Sequence, residues 1–168
     1  LITNFCILFS LVMINLYIYF KKIDIENKKR IEERKKLLLN SGIYEIDEMS
    51  GREFEQYLKY LYIKAGYKVR LTPASGDFGA DLILEKETQR IAVQAKRYKS
   101  KVGIKAVQEI ASAKTHYRAT DTWVVTNNHF TSAAVTLAQS NGVKLYDREA
   151  LIKFSLKYRE PNSNNTND

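Results

Sequence analysis

Cysteine and histidine are scarce in this 168-residue chain, and their scarcity is informative. Cys6 stands alone, so no internal disulfide can form, and a disulfide-stapled miniprotein is excluded. Two histidines, His116 and His129, cannot complete a Cys/His zinc site. Any metal must therefore be held by oxygen. The glycines fit neither a P-loop nor a dinucleotide fingerprint, and there is no internal repeat. The length excludes a multidomain enzyme, and 45% apolar residues exclude a mostly disordered polymer. What is abundant is positive charge, 27 Lys and Arg against 19 Asp and Glu, a net +8 that suits a polyanion or an anionic membrane surface as partner.

Charge is absent from residues 1–20, which are followed at once by Lys21 and Lys22. Twenty helical residues reach about 30 Å, the thickness of a bilayer's hydrocarbon core. Apolar residues occupy every helical face, so the segment is expected to be one transmembrane helix, where a core helix would show a polar stripe. No basic stretch precedes it and no small-residue cleavage site follows, as a signal peptide would require. Residues 21–36 hold eight basic and four acidic residues, which places the rest of the chain in the cytoplasm of a single-pass cell-membrane protein. Residues 21–48 read as a charged stalk or linker. Its part from 23 to 39 lacks Gly and Pro and is helical, supported by pairs such as Glu32 with Lys36.

The 118 residues from Gly51 onward carry 19 basic and 12 acidic groups. Ser50 and Glu53 form a capping box, and Phe54, Leu58, Leu61 and Ala65 recur at helical spacing up to Gly66. Strand periodicity follows at residues 67–71, 80–85 and 90–96. A helix over 105–117, a buried strand over 122–126, a helix over 131–139, a strand over 143–146 and a helix over 149–158 complete the chain. The tail, 159–168, is polar and is expected to be disordered. The order αβββαβαβα implies a mixed sheet with helices on both faces.

Chemistry is to be sought where polar groups occupy positions that geometry makes apolar. Asp81 opens a strand otherwise made of Leu82, Ile83 and Leu84. In the next strand Ile91, Val93 and Ala95 face one way while Gln94 and Lys96 face the other. If the two strands pair, a carboxylate, an amide and an ammonium meet on one patch. Such a set suits a hard divalent cation with a lysine beside it to act on water. A plain surface salt bridge between Asp81 and Lys96 fits the spacing equally well. Glu55 lies at the edge of the first helix's apolar stripe and can lean toward the sheet. Asp77, in the turn Ser75-Gly76-Asp77-Phe78-Gly79, is either an additional site residue or a turn residue bonding its own backbone.

Gly51-Arg-Glu-Phe-Glu55, Gly66-Tyr67, Ser75-Gly-Asp-Phe-Gly-Ala-Asp81, Val93-Gln-Ala-Lys96-Arg97-Tyr98 and Val124-Val-Thr-Asn127 together resemble the Mrr-type restriction endonuclease domain, a branch of the PD-(D/E)xK nucleases. The resemblance covers about residues 49–153 and leaves the leader and stalk unexplained. It implies a restriction-endonuclease-like α/β fold with an αβββαβ core in a domain over 49–158. It also implies a metal-dependent DNA endonuclease using Mg2+ or Mn2+, of a type IV-like restriction or DNA-processing kind. In that family Asp81 would be a metal ligand, Gln94 and Lys96 would complete the site, and Glu55 would assist metal or water binding. Gln94 stands where most of the superfamily has an acidic residue, a substitution that the Mrr branch shares, and a neutral ligand brings less charge to the metal.

Between Lys86 and Lys105 there are seven basic residues and one acidic. Arg97, Lys99, Lys101 and Lys105 are the expected grip on DNA phosphates, with Asn127 as a further contact after a strand end. The partners expected are therefore DNA, the membrane through residues 1–20, and a second copy of the chain in a homodimer. The competing reading is a catalytically silent module that tethers DNA at the membrane. Presence of Glu55, Asp81, Gln94 and Lys96 together favours the enzyme.

Overall fold

The computed structural model describes residues 2–73, 76 and 78–158, with backbone alone at 2–10 and 34–40. Asp77 and the tail 159–168 lie outside the described residues. The chain forms two units, Leu1–Leu37 and Leu38–Asp168.

The first unit is built on helix α1, Ile2–Asn40, which runs without a break across the change from apolar to charged sequence. No Gly or Pro interrupts residues 1–39. On its charged part Lys28 pairs with Asp24 at 2.6 Å and Lys29 with Glu33 at 3.9 Å, both at i,i+4 spacing. The Lys36 side chain, expected to pair with Glu32, lies outside the described residues. Among the described residues no helix is long and apolar enough to cross a membrane. The transmembrane helix expected over 1–20 is thus not shown. Side chains of that segment are described only for residues 11–20.

In the second unit, a short helix α2, Ile43–Glu48, precedes α3, Gly51–Lys64. The strands and helices that follow are β1 Lys68–Leu71, β2 Leu82–Lys86, β3 Gln89–Lys96, α4 Ile104–His116, β4 Asp121–Thr126, α5 Ser132–Asn141, β5 Val143–Tyr146 and α6 Arg148–Tyr158. The five strands form one sheet in the order β1-β2-β3-β4-β5. The first three are antiparallel, and β3, β4 and β5 are parallel, joined through α4 and α5. This is a mixed α/β sheet covered by helices.

Side-chain alternation divides the core in two. Leu82, Leu84, Ile91, Val93, Trp123 and Val125 pack with Phe54, Tyr57, Leu58 and Leu61 of α3 and Leu151 of α6. Ile83, Ala92, Val124 and Val143 pack on the other face with Val107 and Ile110 of α4 and Ala134 and Ala138 of α5. The capping box at the start of α3 is present: the Glu53 N–H donates to Ser50 Oγ at 3.2 Å and the Ser50 N–H to Glu53 Oε2 at 3.0 Å. The core begins earlier than Met49. Ile46 of α2 is 1% exposed among the α3-side residues, so residues expected to belong to the stalk are part of the folded domain.

Candidate active site

Asp81 precedes β2 by one residue and still takes part in the ladder, its N–H donating to the Val93 carbonyl at 2.8 Å. Beyond this point the antiparallel partner of β3 ends. The Asp81 carboxylate takes over, with Oδ2 accepting from the Ala95 N–H at 2.7 Å and from Gln94 Nε2 at 2.5 Å. Thr72, after β1, fixes the same residue from the other side. Its N–H donates to the Asp81 carbonyl at 3.0 Å and its hydroxyl to the Ala80 carbonyl at 2.6 Å. Asp81 and Gln94 are therefore in direct contact, as strand pairing required.

Burial raises the Asp81 carboxyl above its usual value of 3.8. The Ala95 N–H opposes the rise, the charge of Glu55 adds to it, and Gln94 and Lys96 oppose it. Glu55 is thus an electrostatic neighbour of Asp81 and is itself held by Arg52 at 2.5 Å. Gln94 is 3% exposed, and its carbonyl oxygen Oε1 is buried with no hydrogen-bond partner among the described residues. An orphaned amide oxygen costs free energy unless something accepts its lone pairs. With Nε2 committed to Asp81, Oε1 is a hard oxygen donor beside a carboxylate, and this set fits an oxygen-preferring divalent cation.

Lys96 extends from the same face of β3 and acts on the charge of Asp81, but its closest partner is a residue that sequence reasoning missed. Its Nζ lies 3.0 Å from Glu109 Oε2 on α4. Gly79, at φ +88°, lets the loop into Asp81 cross α4 at that point, since a Cβ there would stand 2.5 Å from the Glu109 carbonyl oxygen.

The basic segment after β3 divides into two roles. Lys99 and Lys101 are exposed, and the Lys105 side chain is 88% exposed. Arg97 turns inward, donating from an Nη to the Asp47 carbonyl at 3.3 Å. Asn127 is also internal: it is 4% exposed, its Oδ1 accepts from the Tyr98 N–H at 2.9 Å, and its Nδ2 donates to Asp47 Oδ1 at 2.7 Å. Asp47 in turn receives both Nη groups of Arg148, at 2.8 and 2.9 Å. Asn127 thus braces the loop after β3, an internal role in place of the open DNA contact expected of it.

A second group of ligand atoms, on His129, Asp147 and Glu149, lies within 4.8 Å of one another. Each has a structural role already. His129 pairs with Glu149 at 3.5 Å, and Asp147 Oδ1 accepts the Ala150 N–H at the start of α6.

Comparison with known proteins identifies the family and the fold. The family model for the Mrr catalytic domain, described as a restriction endonuclease, matches residues 46–155. No curated protein matches the chain in sequence. Among solved structures it is similar to the DNA modification-dependent restriction endonuclease AspBHI, with TM-score 0.55 and 20% identity over 77% of this chain and 37% of that one. It is also similar to a protein of unknown function, AF1548, with TM-score 0.53 and 18% identity over 68% and 70% of the two chains. Both likenesses concern the fold, and the chain spans little more than a third of AspBHI. With a model matching well over half of its length, the chain belongs to the Mrr-type restriction endonuclease domain family.

Proposed function

We propose that this protein is a divalent-metal-dependent DNA endonuclease that hydrolyses phosphodiester bonds at the Asp81–Gln94 site. The observation that carries the proposal is the buried Gln94 Oε1, unpartnered and adjacent to the Asp81 carboxylate. Asp81, Gln94 Oε1 and Glu55 would hold a Mg2+ or Mn2+ ion, which when bound polarises the phosphate and makes water more acidic. The Ala95 N–H holds Asp81 Oδ2 in place, and Gln94 Nε2 donates to the same oxygen, which leaves Oε1 as the acceptor of the amide with no partner among the described residues. Lys96 supplies a cation for charge that develops on the scissile phosphate and orients the attacking water. Lys99, Lys101 and Lys105 attract the DNA backbone without reading its sequence, while Arg97 and Asn127 hold their loop against α2. One such site cuts one strand, so double-strand cleavage requires a second copy of the chain or a second encounter.

The proposal includes a single-pass anchor through residues 1–20 with the nuclease domain in the cytoplasm. It is supported by the chargeless run, its unbroken helix and the flanking Lys21 and Lys22. The catalytic reading is tested by plasmid nicking with the full chain in detergent, with Mg2+, with Mn2+ and with EDTA, beside Asp81→Ala and Lys96→Ala. Nicking that needs metal and is lost in both variants is expected. Equal nicking by all three proteins would identify a contaminant, and none on any substrate would leave the silent DNA tether.

A further inference from the structure

Lysine is a flexible stem with a point charge at its end, and left free it distributes over many rotamers. Lys96 is not left free. Its ammonium meets Glu109 Oε2 at 3.0 Å, in a pair whose side chains are 18% and 31% exposed. The other Glu109 oxygen, Oε1, lies 3.9 Å from Lys105 one turn earlier on α4. The Glu109 backbone is fixed as well. Ser112 Oγ donates to its carbonyl at 2.7 Å, and the loop carrying Asp81 rests against it at Gly79. One residue of α4 thus touches the approach to Asp81 through its main chain and Lys96 through its side chain.

We infer that Glu109 is the positioning residue of this site. Its carboxylate fixes the Lys96 ammonium in one place beside Asp81 and Gln94, so that the cation is oriented before a phosphodiester arrives. The inference rests on the nuclease reading above. Glu109 itself touches none of the proposed metal ligands through a described bond, and its effect passes through Lys96. Fixing a reacting group in advance removes an ordering cost from the chemical step and leaves substrate binding largely unchanged.

The test compares the full chain with Glu109→Gln, which keeps the shape and removes the charge, and with Glu109→Asp, which keeps the charge on a shorter stem. Two quantities are read: kcat and KM for plasmid nicking, and the rate at which formaldehyde and a hydride donor methylate Lys96, followed by mass spectrometry. Glu109→Gln should lower kcat by about 10- to 100-fold with KM little changed, and should speed methylation of Lys96. Glu109→Asp should recover part of both and serves alone if Glu109→Gln does not fold. Metal-dependent nicking with unchanged kcat and unchanged Lys96 methylation in the variants would overturn this inference and leave the nuclease reading intact. A wild-type chain that nicks nothing would overturn both.

Discussion

Ionising Asp81 in the folded chain means charging a carboxyl that burial, above all, resists. Because its folded value lies above 3.8, the folded state holds the proton more tightly than the unfolded state does. The cost to stability is absent in acid below 3.8 and grows as pH rises through the folded value. Asp81→Asn keeps an oxygen to accept the Ala95 N–H and removes that charge. It should abolish nicking and, without metal, stabilise the neutral-pH fold by about 0.5–2 kcal/mol, as read by denaturant unfolding at pH 7 and at low pH, where the gain should vanish. The pairing of Asp81 with Gln94 was legible in the sequence because strand alternation alone puts Gln94 and Lys96 on one face. Glu109 was not, since a glutamate 13 residues after Lys96 on an amphipathic helix reads as a solvent-facing group until the path of α4 over β3 is known.

Among the elements, those with a clear period appeared within a few residues of their expected bounds, from α3 to α6. Helix α2 did not, because six residues with one deeply buried side chain, Ile46, leave no repeat to detect. Its importance comes from a contact across 101 positions of sequence, the bidentate pair of Asp47 with Arg148 at the start of α6. The same carboxylate closes over Asn127, which from the sequence looked like an open strand-end contact. The Arg148 hydrogen bonds, chiefly, hold Asp47 below the ordinary carboxylate value. That stabilisation is therefore complete above 3.8 and is lost as pH falls through the lowered folded value. Asp47→Ala should cost about 2–3 kcal/mol in denaturant unfolding at pH 7, with a smaller penalty in strong acid.

For the whole molecule, the positive charge and the chargeless leader make separate demands. If Lys99, Lys101 and Lys105 grip phosphates, the logarithm of the DNA association constant should fall linearly with the logarithm of salt concentration. Each Lys→Ala change should reduce that slope by about 0.9, measured by fluorescence anisotropy on unrelated duplexes with the same result for each. An unaltered slope would remove these lysines from the interface. If residues 1–20 anchor the chain, the full protein should remain in the membrane pellet after alkaline carbonate, while a chain starting at Lys21 should be released; release of both would remove the anchor.

The central claim is that Asp81 and the orphaned Gln94 oxygen hold a divalent cation, and calorimetric titration of Mn2+ into the full chain tests it without requiring a DNA substrate to be known. The account predicts one site in the wild type, lost in Asp81→Asn and weakened in Gln94→Ala, and retained when His129 and Glu149 are both replaced by alanine. Binding that survives in Asp81→Asn, or that disappears with His129 and Glu149, would contradict it.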